Sequence, residues 1–429
     1  MLKAGFADVD ITPPLGTKKI GWLKEIVPTR VADPLFTRAA VFETPGQRVA
    51  FLSLDTLFVR SEETAAIRKG VEQKHGFPGA NVLVAATHNH GSPAVAECGD
   101  VRVDEAYCAT MVEKCVRALG DAIARTEDAE IAFGNRALFG VGFNRRVIMR
   151  DGTVRTHGTF DDPNALCLEG PIDPELSVLA VRRTGGGHDL LGTIVNYANH
   201  PTDHGGDDAF SAGWPGVLHD RMKARGCPQT LFLNGAYGNV SAADPTRAGQ
   251  SMNMQQIGET MAEAVQRVLA DLASKPKTFT REVELSSRSR TIDLPYRTVT
   301  DAEIKGTVRG AQRFIDPAIY DRNIPRVLEE IRRNNGKAKA EVQVLGVGDR
   351  AYASVPCELF VQLGLRIKEQ SHPRRALIVG SANGIVGYAP HAEAFPRGGY
   401  ETTFISTSKL APGAGEMLAD CAAALIRGA

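Results

Sequence analysis

The chain has 429 residues, with 50 basic and 50 acidic side chains and a formal net charge of zero. That balance, with aromatics at only 6%, argues against a nucleic-acid surface and base-stacking platforms. No apolar run approaches the roughly 18 residues that a bilayer-spanning helix needs, and 43% hydrophobic content over this length suffices for a large soluble core.

In chain order, "RVAFLSLDTLFV" reads as a buried strand and "SEETAAIRKGVEQKHG" as a helix opened at Ser61 with an acidic first turn and closed by glycine. "NVLVAATHNH" is the next strand, and "DEAYCATMVEKCVRALGDAIART" a helix with apolar residues at three- and four-residue spacing. "ELSVLAVRRTGGGHDLLGTIVNYANHP" predicts two strands joined at the glycine run 184–188. The strand "TLFLNGAYG" lies between the helices "WPGVLHDRMKARG" and "MQQIGETMAEAVQRVLADLA". Around 273–300 helical period gives way to alternation, a candidate internal seam. Beyond it come a helical stretch to about 336, the hairpin "AEVQVLGVGDRAYASVPCE" turning at Gly-Asp, a helix, the strand "ALIVGSANGIVGYAP" and a C-terminal helix. No repeat is visible. The pattern predicts an α/β fold, a layered body with a mixed β-sheet, as one large domain over 1–429.

Seven cysteines, with no C-x-x-C pair, read as reduced thiols. The N-terminus "MLKAGFADVDITPPLG" has no leader pattern, and the expected location is cytoplasmic.

Four apolar strands end in a residue able to bind a metal. His88 and His90 close "VAATHNH", and strand alternation predicts that residues at i and i+2 project together. His200 follows "TIVNYAN", Glu358 follows "RAYASVP", and Tyr388 follows "VGSANGIVG". Strand ends can converge on one rim of a layered body, and two imidazoles with a carboxylate suit a catalytic zinc. Each residue also has a plain structural reading: a polar strand end, the start of a helix, a packed ring. Ser241 in "LFLNGAYGNVSAAD" sits on a small-residue turn without a G-x-S-x-G elbow, so a serine triad is weakly supported. Arg145 and Arg146 in "FGVGFNRRV" suit a carboxylate or other oxygen-rich group, or are surface arginines.

Taken together, these segments resemble the catalytic domain of the neutral/alkaline non-lysosomal ceramidases, a family of zinc-dependent amidases. "GFADVDITPPLG", "DPLFTRAAVFE" with "VAFLSLDTLFV", "ATHNHGSPA", "NHPT", "NGAYGNVSAAD", "VPCELF" and "VGYAPHAEAFPRGGYE" are similar to family motifs and fall in the family's order. The resemblance implies Zn²⁺ held by His88, His200, Glu358 and Tyr388. It also implies His90 as a substrate-facing histidine behind the ligands, Tyr400 against the reacting group, and Arg145 as an active-site arginine. The chain looks like a short form without the family's C-terminal β domain. Asn239, Ala242, Asn89 and the order Gly91-Ser92 depart from the motifs, which favours a small soluble amide, ester or lactone over ceramide.

The expected activity is a zinc hydrolase in which metal-bound water attacks a carbonyl. The alternatives are a ceramidase-type N-acyl amide hydrolase acting on lipid, a hydrolase with Ser241 as nucleophile, and a non-catalytic ligand-binding protein of the same fold. The expected partner is a small-molecule substrate, with no nucleic acid and no integral membrane segment; oligomeric state is left open.

Overall fold

Strands and amphipathic helices alternate through the structure, a computed structural model that describes residues 1–185, 189–275 and 278–428. One order of elements occurs three times. The first unit has the strand Lys3–Asp10, the antiparallel hairpin Phe36–Thr44 and Gln47–Leu54, the helix Ser61–His75, the strand Val82–Ala86 and the helix Glu105–Ala124. The second has Glu127–Ala137, the antiparallel pair Glu175–Arg183 and Leu190–Tyr197, then Gly213–Ala224, Thr230–Asn234 and Met254–Ala273. The third has Leu285–Pro295, the hairpin Lys337–Val347 and Arg350–Ser354, then Val361–Gln370, Arg375–Val379 and Ala414–Arg427.

In every unit the opening strand pairs antiparallel with the next one, and the last strand runs parallel to the third. The parallel pair follows from the intervening helix, because only a crossover can bring a strand back in the same direction. The sequence reading found no repeat. The structure corrects it, because what recurs is the order of periodicities, not the residues that carry them.

The first two units join into one eight-stranded mixed sheet through the short pairing Lys3↔Asp128 and Ala4↔Glu127, and the third forms a four-stranded sheet. Their inner faces share an apolar core that includes Phe42, Phe51, Leu179, Leu231, Tyr352 and Leu377. Phe51 and Tyr352 meet edge to face at 4.9 Å between ring centres, a favoured aromatic geometry. Outside, each unit buries its own helix pair in a separate cluster. The helix Met254–Ala273 shows why. Asn253 and Gln256 form a capping box, and Ile257, Met261, Val265, Val268 and Leu272 make one buried stripe.

Buried polar groups close the three units in a ring. Ser53 Oγ donates to the Phe232 carbonyl at 2.7 Å, linking the first unit to the second. Asn196 Nδ2 donates to the Ile378 carbonyl at 2.8 Å, linking the second to the third. Asn383 closes the ring: its N–H donates to the Val84 carbonyl at 2.8 Å, and its Oδ1 accepts from the Val84 N–H at 2.9 Å. Each such bond satisfies a buried group whose orphaning would cost about 1–3 kcal/mol.

The hairpin 337–354 turns at Gly348-Asp349 as predicted, with Gly348 at φ 59°, a value glycine adopts without Cβ strain. The strands flanking the 184–188 glycine run pair antiparallel, but residues 186–188 of that turn lie outside the described residues. Among the described residues no helix is long and apolar enough to cross a membrane.

Candidate metal centre

His88 lies two residues beyond the strand Val82–Ala86, and His200 three beyond Leu190–Tyr197. Glu358 and Tyr388 open the short parallel strands Glu358–Leu359 and Tyr388–Ala389, where they are direct partners. The strand-end residues of all three units therefore face one interior point.

Three imidazoles meet there. His88 Nε2 lies 3.0 Å from His200 Nε2 and 3.3 Å from His90 Nε2. Glu358 Oε2 lies 3.3 Å from His88 Nε2 and 3.4 Å from His200 Nε2. The other ring nitrogen of each histidine faces a backbone carbonyl: Leu57 at 3.0 Å for His88, Gly21 at 2.8 Å for His90, and Tyr237 at 3.2 Å for His200. A carbonyl can only accept, so each Nδ1 carries the proton and each Nε2 presents a lone pair to the others. Lone pairs do not bond to one another. Glu358 Oε2 is likewise buried without a hydrogen-bond partner. Four electron-pair donors facing one point without a proton between them fit a cation and leave the cluster unsatisfied otherwise.

The expected reason for the His88–His90 convergence is corrected. The strand stops at Ala86, and His88 adopts a left-handed backbone with φ 66°, which is strained for a residue with a Cβ. The two rings meet because the turn brings them together, not because a strand alternates. His90 also stands within the three-imidazole cluster, 3.3 Å from His88, where the resemblance placed it behind the ligands.

Burial with the neighbouring imidazoles holds the His90 pKa well below its ordinary value, and burial with Arg145 does the same for His200. Tyr388 is buried, and burial with the Glu358 charge pushes its phenol well above the ordinary range, against the pull of Arg145. Tyr400 is partly exposed, its ring 5.8 Å from that of Tyr388.

Arg145 donates from Nη2 to Tyr388 Oη at 3.0 Å and to the Gly238 carbonyl at 2.9 Å, and from Nε to Glu401 at 2.8 Å. Neither it nor Arg146 is the surface residue that the sequence allowed. Arg146 is committed to Glu169, Glu401 and the Gly398 carbonyl, which leaves no fork for a ligand. Ser241 is buried on a bridge beside His200, and its Oγ has no hydrogen-bond partner among the described residues.

Two groups escaped the sequence reading. Glu401 follows Tyr400 in the quoted "GGYE" and bridges both arginines. Asn234 ends the strand Thr230–Asn234 and donates to the Thr87 and Asn199 carbonyls at 3.1 and 2.7 Å, the residues just before His88 and His200. An asparagine at the end of an apolar strand was the available signal.

Other residues of the quoted segments form structural pairs. Arg38 and Asp55, in "DPLFTRA" and "SLD", form a buried pair at 2.7 Å, and Asp33 accepts from Ser211 Oγ at 2.5 Å.

No protein-family model matches the chain, and no curated protein sequence does. Crystal structures do. The neutral ceramidase from Pseudomonas aeruginosa aligns with a TM-score of 0.73 over 100% of this chain and 75% of its own, at 19% identity. A ceramidase complexed with C2 aligns with a TM-score of 0.72 over 99% of this chain and 75% of its own, at 18% identity. The chain has a neutral-ceramidase-like fold, the mixed α/β body that its sequence predicted.

Proposed function

We propose that this chain is a metal-dependent hydrolase that cleaves a small amide, ester or lactone, with 1–429 acting as one catalytic domain. The carrying observation is the meeting of three imidazole lone pairs with the orphaned Glu358 oxygen. His88, His200 and Glu358 would hold the ion, with the Tyr388 phenol as a further donor. Nitrogen donors favour zinc over Mg²⁺ or Ca²⁺, which prefer oxygen shells. When bound, zinc polarises a carbonyl oxygen and makes water a nucleophile near neutral pH.

The remaining work falls to the chain's own groups. The Gly21 carbonyl fixes His90 in the tautomer whose Nε2 carries a lone pair; with His88, His200 and Glu358 as the ligands, His90 would turn that lone pair to substrate or to a proton in transfer rather than to the ion. Burial pushes the Tyr400 phenol well above its ordinary pKa, so it would keep its proton and could donate it as a hydrogen bond to oxygen as negative charge develops there. Arg145 acts by position: it holds the Tyr388 hydroxyl and spends its other donors on Glu401 and Gly238.

Protein purified without chelator is expected to carry close to one zinc per chain, and chelation is expected to abolish hydrolysis of a panel of amides, esters, lactones and an N-acyl sphingosine. A metal-free preparation, or turnover indifferent to chelator, sinks the reading. Preference for the sphingosine amide would replace the small substrate with a lipid one.

Ser241 has no base in contact, so the reading assigns it no nucleophilic role. Ser241→Ala should keep at least about a tenth of kcat, since general positioning effects are modest beside loss of a nucleophile. A trapped acyl-serine at 241 would show the opposite.

A further inference from the structure

His157 has no part in the scheme above, yet its surroundings lead to the same side chains. Its backbone N–H donates to the Arg145 carbonyl at 2.7 Å, and the residue before it, Thr156, accepts from the Tyr400 N–H at 3.0 Å. Gln312 clamps Thr156 from outside, accepting from its N–H at 2.9 Å and donating to its carbonyl at 3.0 Å. The segment is thus fixed, and it holds His157 in a left-handed conformation at φ 58°. Strain of this kind in a non-glycine residue persists where the surroundings impose it, and it gathers at functional sites.

The ring itself is exposed, and among the described residues neither nitrogen has a hydrogen-bond partner. It lies 6.1 Å from the ring of Phe314, which lies 4.8 Å from Tyr400, which in turn meets Tyr388. A row of aromatic rings therefore runs from the metal centre to solvent and ends in a free imidazole.

Resting on the hydrolase reading, we propose that His157 is a substrate-binding residue at the solvent end of this row, and that it takes an uncharged hydroxyl on the part of the substrate that extends past Tyr400 over Phe314. A neutral imidazole both donates and accepts, as a hydroxyl does. An exposed imidazole with an ordinary pKa of about 6.5 is already mostly neutral at pH 7. A carboxylate would seek a free cation, and the arginines nearby are already bound to Glu401.

The test uses matched ester or amide pairs that differ only in one hydroxyl, placed on the acyl side in one pair and on the leaving group in the other. Wild type should favour the hydroxylated member of one pair by about three- to tenfold in KM, the range of one neutral hydrogen bond. His157→Ala should erase that preference with metal content unchanged, and His157→Gln, which still donates and accepts, should restore part of it. No preference in wild type, or one that survives in His157→Ala, overturns the proposal. If wild type cleaves none of the compounds, the hydrolase reading falls by itself. The subsite is then judged by equilibrium binding of the same pairs, where equal affinities for wild type and His157→Ala overturn it.

Discussion

Glu358→Gln is expected to cost the protein its metal and keep its fold. The amide has nearly the shape of the carboxylate, and Glu358 is only 2% exposed, so packing changes little. What is lost is the negative charge beside His88 and His200, and among the described residues no other carboxylate pairs with either ring. Residues that merely support a ligand cost about ten- to a hundredfold in metal affinity when removed, so loss of an anionic ligand should exceed a hundredfold. Competition against a chelator of known affinity reads this directly. Stability should move the other way. In the metal-free protein Glu358 Oε2 is an unpartnered buried acceptor, and relief of that charge should leave metal-free Glu358→Gln at least as stable as metal-free wild type. A variant that binds zinc as tightly as wild type would remove Glu358 from the ligand set.

The sequence showed the strand ends and not the space between them. His88, His200, Glu358 and Tyr388 were legible because each follows an apolar run and interrupts it, and a polar residue there needs a reason. Their convergence was not legible, since it depends on three units closing in a ring through Ser53, Asn196 and Asn383. Those residues sit in or beside apolar strands, and nothing local marks them as joints. The threefold order of elements was hidden for a related reason: the units place different residues at matching positions. Two residues beyond the fourth strand stand His88 in the first unit, Ala236 in the second and Ser381 in the third. One of them can bind a metal, one is apolar, and one shares a hydrogen bond with the Tyr237 hydroxyl. Strand alternation gave the right pairing of His88 with His90 for the wrong reason, because a period-two argument fails where the strand has already ended.

Glu401 carries the second large expectation. It is fully buried between Arg145 and Arg146, and its carboxylate also accepts from Thr156 Oγ1 at 2.6 Å. Burial alone would raise its pKa, but the two guanidinium groups and the Thr156 hydroxyl outweigh it and lower the pKa from the ordinary 4.5 to about 2. A carboxylate whose folded pKa is depressed adds stability in full above its unfolded pKa and loses it as pH falls towards the folded value. The contribution is therefore complete above about pH 5 and fades between there and about pH 2, with a size on the order of 3 kcal/mol. Glu401→Gln should flatten that acid limb when unfolding by urea is followed across the window. Glu401→Ala goes further, because among the described residues it leaves Arg145 with no carboxylate partner while Arg146 retains Glu169. Breaking a buried pair from one side costs about 3–5 kcal/mol, and that loss should be measurable at pH 7. It should also reach the metal centre, since the guanidinium released from Glu401 is the one that holds the Tyr388 hydroxyl. An unchanged acid limb in Glu401→Gln would mean that the arginines are neutralised by other groups and that this bridge contributes little to the folded state.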